Sequence, residues 1–470
     1  MPTSVFLTAI NYYPNSADWF TQLRHLDLPI WLDSCYPQST YGRFDILSAA
    51  PAVTLNTTGD TTLIQSGDAS EVSKENPFSL LHAYLIKCQL HGEQIPFYGG
   101  VLGYFGYDLG RRLEKLPEQA IKDIDLPDMC VGIYPWAIVQ DHQTKKAWLV
   151  INKSVAPAYN FLEIASLCSE ASQNIRFHDL KQNLRCPEKP FNIKDFKSNL
   201  KVDEYSNAIS KIQTYIEDGD CYQVNFAQRF TAEFEGDSFE AYLKLRETLP
   251  SPFSAYMELP EGAILSLSPE RFIKLEQNQV ETKPIKGTIA RGKNLQEDAA
   301  NAQALQSSLK DKAENLMIVD LLRNDLSKTC VDVKVPELFS LQSFANVHHL
   351  VSTVTGVLKP DKNALDLLAS SFPGGSITGA PKIRAMEIIE ELEPVRRSVY
   401  CGSLGYISAC GNMDTNIAIR TLICNGNKIH CWGGGGIVAD SEVAKEYQES
   451  IAKVKVLLDT LEQNFSDNNK

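Results

Sequence analysis

The sequence has no long apolar run, and no stretch approaches the roughly 18 residues that a membrane-spanning helix needs. Met1 to Phe20 lack a basic start followed by an apolar block, so no secretory leader is expected. Basic charge is in short supply: 45 Lys and Arg stand against 58 Asp and Glu, a formal net charge of −13. Such a chain lacks the field that draws proteins to nucleic acid or to an anionic membrane surface. A small anionic ligand held by a local site remains compatible with it. Cysteine occurs 11 times but never as CxxC, and the nearest pairs are Cys424 with Cys431 and Cys401 with Cys410. That excludes a zinc ribbon and a thioredoxin-type redox pair, and leaves buried or idle thiols in a reducing cytoplasm. There is no internal repeat and no low-complexity segment.

What is present is ordinary for a globular protein. Hydrophobic residues make up 43% of the 470, charged residues 22%, with 27 Gly and 23 Pro, which excludes disorder, collagen and coiled coil. At about 150 residues per domain, the length allows two large domains or about three smaller ones. Residues 176–196 are polar, with Pro187 and Pro190 close together, and a domain boundary is expected there: an N-terminal region over 1–190 and a catalytic region over 195–464. Ala137–Val139 and Ala147–Ile151 flank a polar stretch and predict a hairpin. The glycines of 97–110 fit close strand packing. Tyr205, Ile209, Ile212 and Ile216 recur at helical spacing and predict a helix over 202–217. Strands are expected at 222–230 and 263–267, and long helices around 296–326 and 441–461.

Several residues have the chemistry of a site. Residues 433–436 are four glycines before a helical pattern that Asp440 or Ser441 would cap. They fit either a tight strand-to-helix turn or a backbone concavity for an anion. In 372–382, Gly374 and Gly379 have phosphate-loop spacing, but Ala380 stands where the loop's lysine should be, so a Walker loop is rejected. Pro381 suits the first turn of the helix that follows, with Thr378 as a candidate cap. Glu446 and Glu449 share a helix face, and Glu314 lies on another helix; carboxylates from separate helices suit Mg²⁺. Each also reads as a solvated surface glutamate. Lys286 reads as a surface charge or, if buried near a metal, as an amine nucleophile. Glu270 is a candidate general acid with a raised pKa. His348 and His349 would point to opposite faces of a strand, so at most one faces a site.

These segments resemble the chorismate-utilising enzymes. The matching motifs are LSPERF at 267–272, PIKGT at 284–288, AENLMIVDLLRNDL at 313–326, HHLVS at 348–352, FPGGSITGAPKIRAMEIIEELEP at 372–394, GYIS at 405–408 and GGGIVADS at 434–441. They lie in the family's order, and the likeness runs from Leu32 to Glu449. It implies the α/β (α+β) fold of anthranilate synthase component I, with antiparallel sheets packed as a sandwich and helices outside. Water-using members carry a lysine base where this chain has Gln223, which implies ammonia as the nucleophile. Lys286 at the centre of PIKGT, where anthranilate-forming members have alanine, implies amination of chorismate at carbon 4. The alternatives are anthranilate formation, or a non-catalytic homologue that binds tryptophan.

The resemblance also assigns roles. Lys286 is the nucleophile and Glu270 the acid, with His349 and Gln223 supporting. Mg²⁺ is held by Glu314 and Glu449, with Glu446 through water. Substrate contacts fall on Thr378, Gly379, Ala380, Tyr406, Arg420, Gly434, Gly435 and Gly436. No cysteine has the Gly-x-Cys-x-Gly context of a glutaminase nucleophile, so ammonia implies a separate glutamine amidotransferase subunit in a heterodimer. Ser34, Tyr41, Gly42, Arg43, Phe44, Pro252, Phe253 and Ser254 match a tryptophan pocket, with Asp33 where the inhibitory motif has glutamate.

Overall fold

The computed structural model describes residues 5–39, 42–85, 95–161, 164, 189–343 and 347–466. Tyr41 and most of the expected boundary segment, 176–188, lie outside them. Two large sheets form among the described residues, one of 13 strands and one of 12. All their strand pairs are antiparallel. Both draw strands from either side of the 176–196 stretch. In the first, Ile30–Asp33 pairs with Phe253–Leu259, matching Asp33 to Ser254. In the second, Gly100–Phe105 pairs with Ser403–Ser408.

Strand alternation builds a layered core. Ile30, Ile46, Val139, Ala255 and Ile264 of the first sheet face inward, where they join Val101, Val131, Leu404 and Ile407 of the second. Their neighbours Trp31, Leu47, Ile138, Tyr256 and Leu265 point the opposite way, under a helical layer. That layer includes Ser238–Thr248 and the C-terminal helix Val443–Phe465. Each such aliphatic side chain taken fully out of water contributes about 1.5–3 kcal/mol. The aromatic cluster Phe20, Trp31, Phe239, Tyr242 and Tyr256, with ring centroids 5.1–5.9 Å apart, fixes this outer layer. A smaller core lies beneath Val202–Glu217 and Lys382–Leu392, around Tyr205, Ile209, Ile212 and Phe226; Ile216 is only half-buried.

The hairpin forms as Trp136–Asp141 and Lys146–Asn152, and the helix over 202–217 and both strands form as expected. Several local expectations are corrected. The stretch 296–326 is two helices, Leu295–Ser307 and Leu309–Ser327, because Ser308 leaves helical geometry and its Oγ accepts from the Asp311 N–H at 3.2 Å. Thr378 does not cap the helix at 382; its Oγ1 donates to the Gly374 carbonyl at 3.0 Å, and Pro381 is the extended residue before that helix. The four glycines are neither turn nor loop. They lie inside the strand Lys428–Ile437 and pair with Gln223–Glu235, Gly434 opposite Ala227 and Gly436 opposite Asn225. The C-terminal helix begins at Val443 without a side-chain cap, because Ser441 is used elsewhere.

Candidate active site

The glycine strand runs directly beneath the C-terminal helix. A Cβ on Gly433 would stand 2.0 Å from the Ser450 carbonyl, so any side chain there would push the helix away. One turn nearer the helix start, a Cβ on Gly435 would stand 3.3 Å from Glu446 Oε2, 3.6 Å from Glu449 Oε1 and 3.5 Å from Lys453 Nζ. A Cβ on Gly436 would lie 2.9 Å from Glu314 Oε1. Glycine thus clears the space into which three glutamates project from two helices.

Each glutamate is matched by a lysine. Glu314 Oε1 is 3.1 Å from Lys286 Nζ, Glu449 Oε1 is 2.7 Å from Lys453 Nζ, and Glu446 Oε1 is 4.0 Å from Lys310 Nζ. Burial works to raise the Glu314 pKa, but Lys286, Lys453 and the Gln223 amide outweigh it and hold the carboxyl below its ordinary value. Glu446 is shifted upward, by burial foremost and then by Glu449, against the hydroxyl of Ser441 that donates to its Oε1 at 2.7 Å. Gln223 is fully buried, and its Nε2 donates to Glu314 Oε1 at 2.9 Å. Its Oε1 has no partner among the described residues.

Glu270 sits between the strands Gly262–Ser268 and Arg271–Glu276. Only 6% of it is exposed. Its pKa is pushed up to about 7 by burial, against the Ser376 hydroxyl and the charges of Lys286, Lys453 and Arg420. It therefore shares one electrostatic neighbourhood with residues from four other segments. Arg420 is largely buried, which lowers its pKa, and among the described residues its guanidinium has no ion pair or hydrogen bond. A guanidinium of this kind suits an incoming anion. His349 lies on Val347–Leu358, with its Nδ1 2.8 Å from Thr288 Oγ1. Burial and Arg420 bring its pKa down to about 4, so the ring is neutral at neutral pH. His348, on the other face, contacts Ser343 and Asp298 instead.

The remaining candidates fall in two places. Gly379–Ala380 is a short strand on Gln223 and Val224, and the carbonyls of Thr378 and Ala380 accept from Asn225 and Tyr222. Tyr406 packs on Phe97 and lines a separate cavity of about 900 Å³. Ser34, Gly42, Arg43, Phe44, Pro252, Phe253 and Ser254 line that same cavity. Asp33 at its edge is committed to neighbours. Arg246 Nε and Nη2 donate to it at 2.7 and 3.0 Å, and the Tyr242 hydroxyl donates at 2.9 Å.

The convergence of one acid, one amine, an unpaired guanidinium and three glutamates agrees with comparison to known proteins. The profile of the chorismate binding enzyme family matches residues 29–459. The chain belongs to the chorismate-binding enzyme family. It is 48% identical over 451 residues to aminodeoxychorismate synthase component 1 of Escherichia coli K12, covering 95% of this chain and 96% of that one. It is 35% identical to anthranilate synthase component 1 of Aquifex aeolicus, covering 92% and 89%. Its fold matches the crystal structure of anthranilate synthase component I from Streptococcus pneumoniae TIGR4 with a TM-score of 0.78 at 32% identity, covering 89% of this chain and 92% of that one. The two antiparallel sheets with flanking helices are thus the family's architecture.

The family resemblance implies a divalent cation. Among the described residues no three carboxylate, imidazole or thiolate groups form a ready-made cluster. The chemistry nevertheless fits Mg²⁺: all donors are glutamate oxygens, glycine keeps the space between them open, and the Lys453 ammonium already stands beside Glu449 as a cation. Two residues here escaped the sequence reading. Lys453 carried a usable signal, since it follows Glu449 by four and Glu446 by seven on one helix face. Ser376 carried none, because its partner Glu270 is 106 residues away.

Proposed function

We propose that this chain aminates chorismate at carbon 4, giving 4-amino-4-deoxychorismate, a reading supported by its 48% identity to an aminodeoxychorismate synthase component 1. The observation that carries the reading is Lys286, an amine 3.1 Å from Glu314 and within the field of the buried acid Glu270. The resemblance implies alanine at that position in anthranilate-forming members. Chorismate is a dianion, and Arg420 offers one carboxylate an unpaired guanidinium. The backbone of Gly434, Gly435 and Gly436, together with Thr378, Gly379 and Ala380, would satisfy the remaining carboxylate oxygens.

In the reaction, Lys286 in its neutral form bonds to ring carbon 2 and the double bond shifts. The bond from carbon 4 to its hydroxyl breaks, and Glu270 gives that oxygen its proton, so water departs. Ammonia then bonds to carbon 4, Lys286 leaves as an amine, and the surplus proton returns to Glu270. Gln223 has no basic group with which to activate water, and its unpartnered Oε1 can accept an N–H from ammonia. His349, neutral, supports the site through Thr288. Glu314, Glu446 and Glu449 would hold Mg²⁺, which supplies charge neutralisation for a substrate carboxylate. Because three lysines already balance the three glutamates, the site keeps its charge only when cation and dianion are taken up together.

The product keeps its pyruvyl ether, so a separate lyase must follow to reach p-aminobenzoate, the folate precursor. Ammonia is supplied by a glutaminase subunit in a cytoplasmic heterodimer. The second cavity, with Phe44, Phe253 and Arg43 in its wall, takes tryptophan.

The test incubates the protein with chorismate, Mg²⁺ and an ammonium salt, with products identified by mass spectrometry. Aminodeoxychorismate is expected. Anthranilate as the main product, or no turnover, overturns the reading. With glutamine in place of ammonium, product is expected only after a glutaminase is added.

A further inference from the structure

We propose that Ser376 is a positioning residue for Glu270, its hydroxyl occupying one carboxyl oxygen so that the transferable proton is held on the other. The Ser376 Oγ donates to Glu270 Oε1 at 2.8 Å, and Ser376 is only 7% exposed. Oε2 accepts no hydrogen bond among the described residues. The inference rests on the proposed amination only for the identity of the product.

Both partners are held from several sides. The Glu270 carbonyl accepts from the Ile417 N–H at 3.0 Å, and Ser268 Oγ bridges the same two residues by donating to the Ile417 carbonyl at 2.6 Å. On the other side, the turn that carries Ser376 is fastened at each residue. Asn225 Nδ2 donates to the Ser376 carbonyl at 2.7 Å, and Arg397 Nη1 donates to the Ile377 carbonyl at 3.0 Å. Arg397 Nη2 also donates to the Asn225 carbonyl at 2.8 Å, which ties turn and strand together. A Cβ on Gly375 would lie 2.6 Å from Leu321 Cδ2, so the turn also rests on the 309–327 helix. Arg397 is itself fully buried and paired to Glu393. A hydroxyl this constrained selects which carboxyl oxygen takes part in chemistry.

The consequence for proton transfer is direct. As the bond between carbon 4 and its oxygen breaks, its electron pair stays on oxygen, and the proton passes from Oε2 to that oxygen. Glu270 is left as a carboxylate, and the Ser376 O–H then donates to a charged acceptor, a stronger hydrogen bond than the one to the neutral acid. The charged or titratable groups that bear on Glu270 are Lys286 from the 285–290 strand, Lys453 from the C-terminal helix, Arg420 from the segment before the 421–425 strand, and Cys401. None of them occupies Oε1.

The experiment compares Ser376→Ala, Ser376→Cys and Ser376→Thr with the wild type over pH 5–9, reading kcat, KM and product identity. Ser376→Ala is expected to lower kcat roughly tenfold or more with KM changed less than about twofold. Its alkaline limb is expected to move to higher pH, because the Glu270 carboxylate loses a donor. Ser376→Thr, which keeps the hydroxyl, is expected to restore the limb, and the weaker thiol donor of Ser376→Cys to give an intermediate value. A limb that stays in place in Ser376→Ala, or that Ser376→Thr fails to restore, overturns the proposal, since a merely loosened turn would lower kcat equally at every pH. A wild type that makes anthranilate overturns the amination reading alone, because loss of the 4-hydroxyl is common to both reactions and the limb still decides the role of Ser376. Titration of the ¹³C-labelled Glu270 carboxyl by NMR in the substrate-free protein reads the same shift without turnover.

Discussion

Lys286 Nζ stands 3.1 Å from Glu314 Oε1, so the amine that the proposed chemistry needs neutral is paired to a carboxylate of the proposed cation site. The pair joins a strand lysine to a helix glutamate and makes the proposed nucleophile and the proposed cation site one electrostatic unit. Replacing Lys286 by alanine is expected to lower amination by at least about a hundredfold, the low end of the loss of one catalytic group. Lys286→Arg is expected to fare no better, because a guanidinium stays charged and does not attack. Product formation measured by mass spectrometry checks both. Turnover equal to wild type in either variant removes Lys286 from the mechanism.

Glu270 should be visible in both rate and stability. A general acid must be protonated, so kcat is expected to fall as pH rises through about 7, where its folded-state pKa lies. The stability sign is opposite to that of a salt-bridged carboxylate. The folded state holds the proton more tightly than the unfolded state, so stability declines as pH rises from about 4.5 to about 7, and the full penalty is present above that. Glu270→Gln is therefore expected to be more stable than wild type at pH 8 by on the order of 3 kcal/mol. The gain should vanish near pH 4. Urea unfolding at the two pH values measures it.

Asp33 and Arg246 form a buried pair at 2.7 Å, with side chains 0% and 8% exposed. Removing one partner strands the other, so Asp33→Ala is expected to cost about 3–5 kcal/mol. Replacing both with apolar residues, Asp33→Leu with Arg246→Met, should recover most of that loss. Denaturant melts of the two variants check the prediction, and a single variant within about 0.5 kcal/mol of wild type contradicts it.

Neighbouring glycines should respond differently. Gly433→Ala forces a Cβ against the Ser450 carbonyl at 2.0 Å and is expected to destabilise the fold by about 1–3 kcal/mol. Gly435→Ala meets only side-chain atoms at 3.3–3.6 Å, all from the charged cluster. It is expected to fold normally yet to weaken Mg²⁺-dependent turnover, by filling the space between Glu446 and Glu449. Thermal melts and Mg²⁺ titrations of the two variants separate the cases.

Local elements were legible where period and turn chemistry act over a few residues. Tyr205, Ile209 and Ile212 face the core as their spacing requires, and the 136–152 hairpin closes where its polar turn falls. Of the two readings of the glycine run, the turn fails; consecutive glycines signal a turn only when nothing else is known. Only the helix packed 2.0 Å from a would-be Gly433 Cβ explains why a strand should lack side chains. The single helix expected over 296–326 failed at Ser308, where a cap competes with helical propensity.

The sequence by itself determined the chemical inventory: the Glu270, Lys286, Glu314, Glu446 and Glu449 groups, the absence of a base at Gln223, and the family they resemble. Tertiary structure alone decided their state. Burial raises Glu270 and lowers His349, and lysines far off in the chain reach Glu314 and Glu446. Ser376 meets Glu270 across 106 residues, a contact with no local signal. Residue type sets what a group can do; desolvation and neighbouring charge, which exist only once distant segments pack, set which of those things it does.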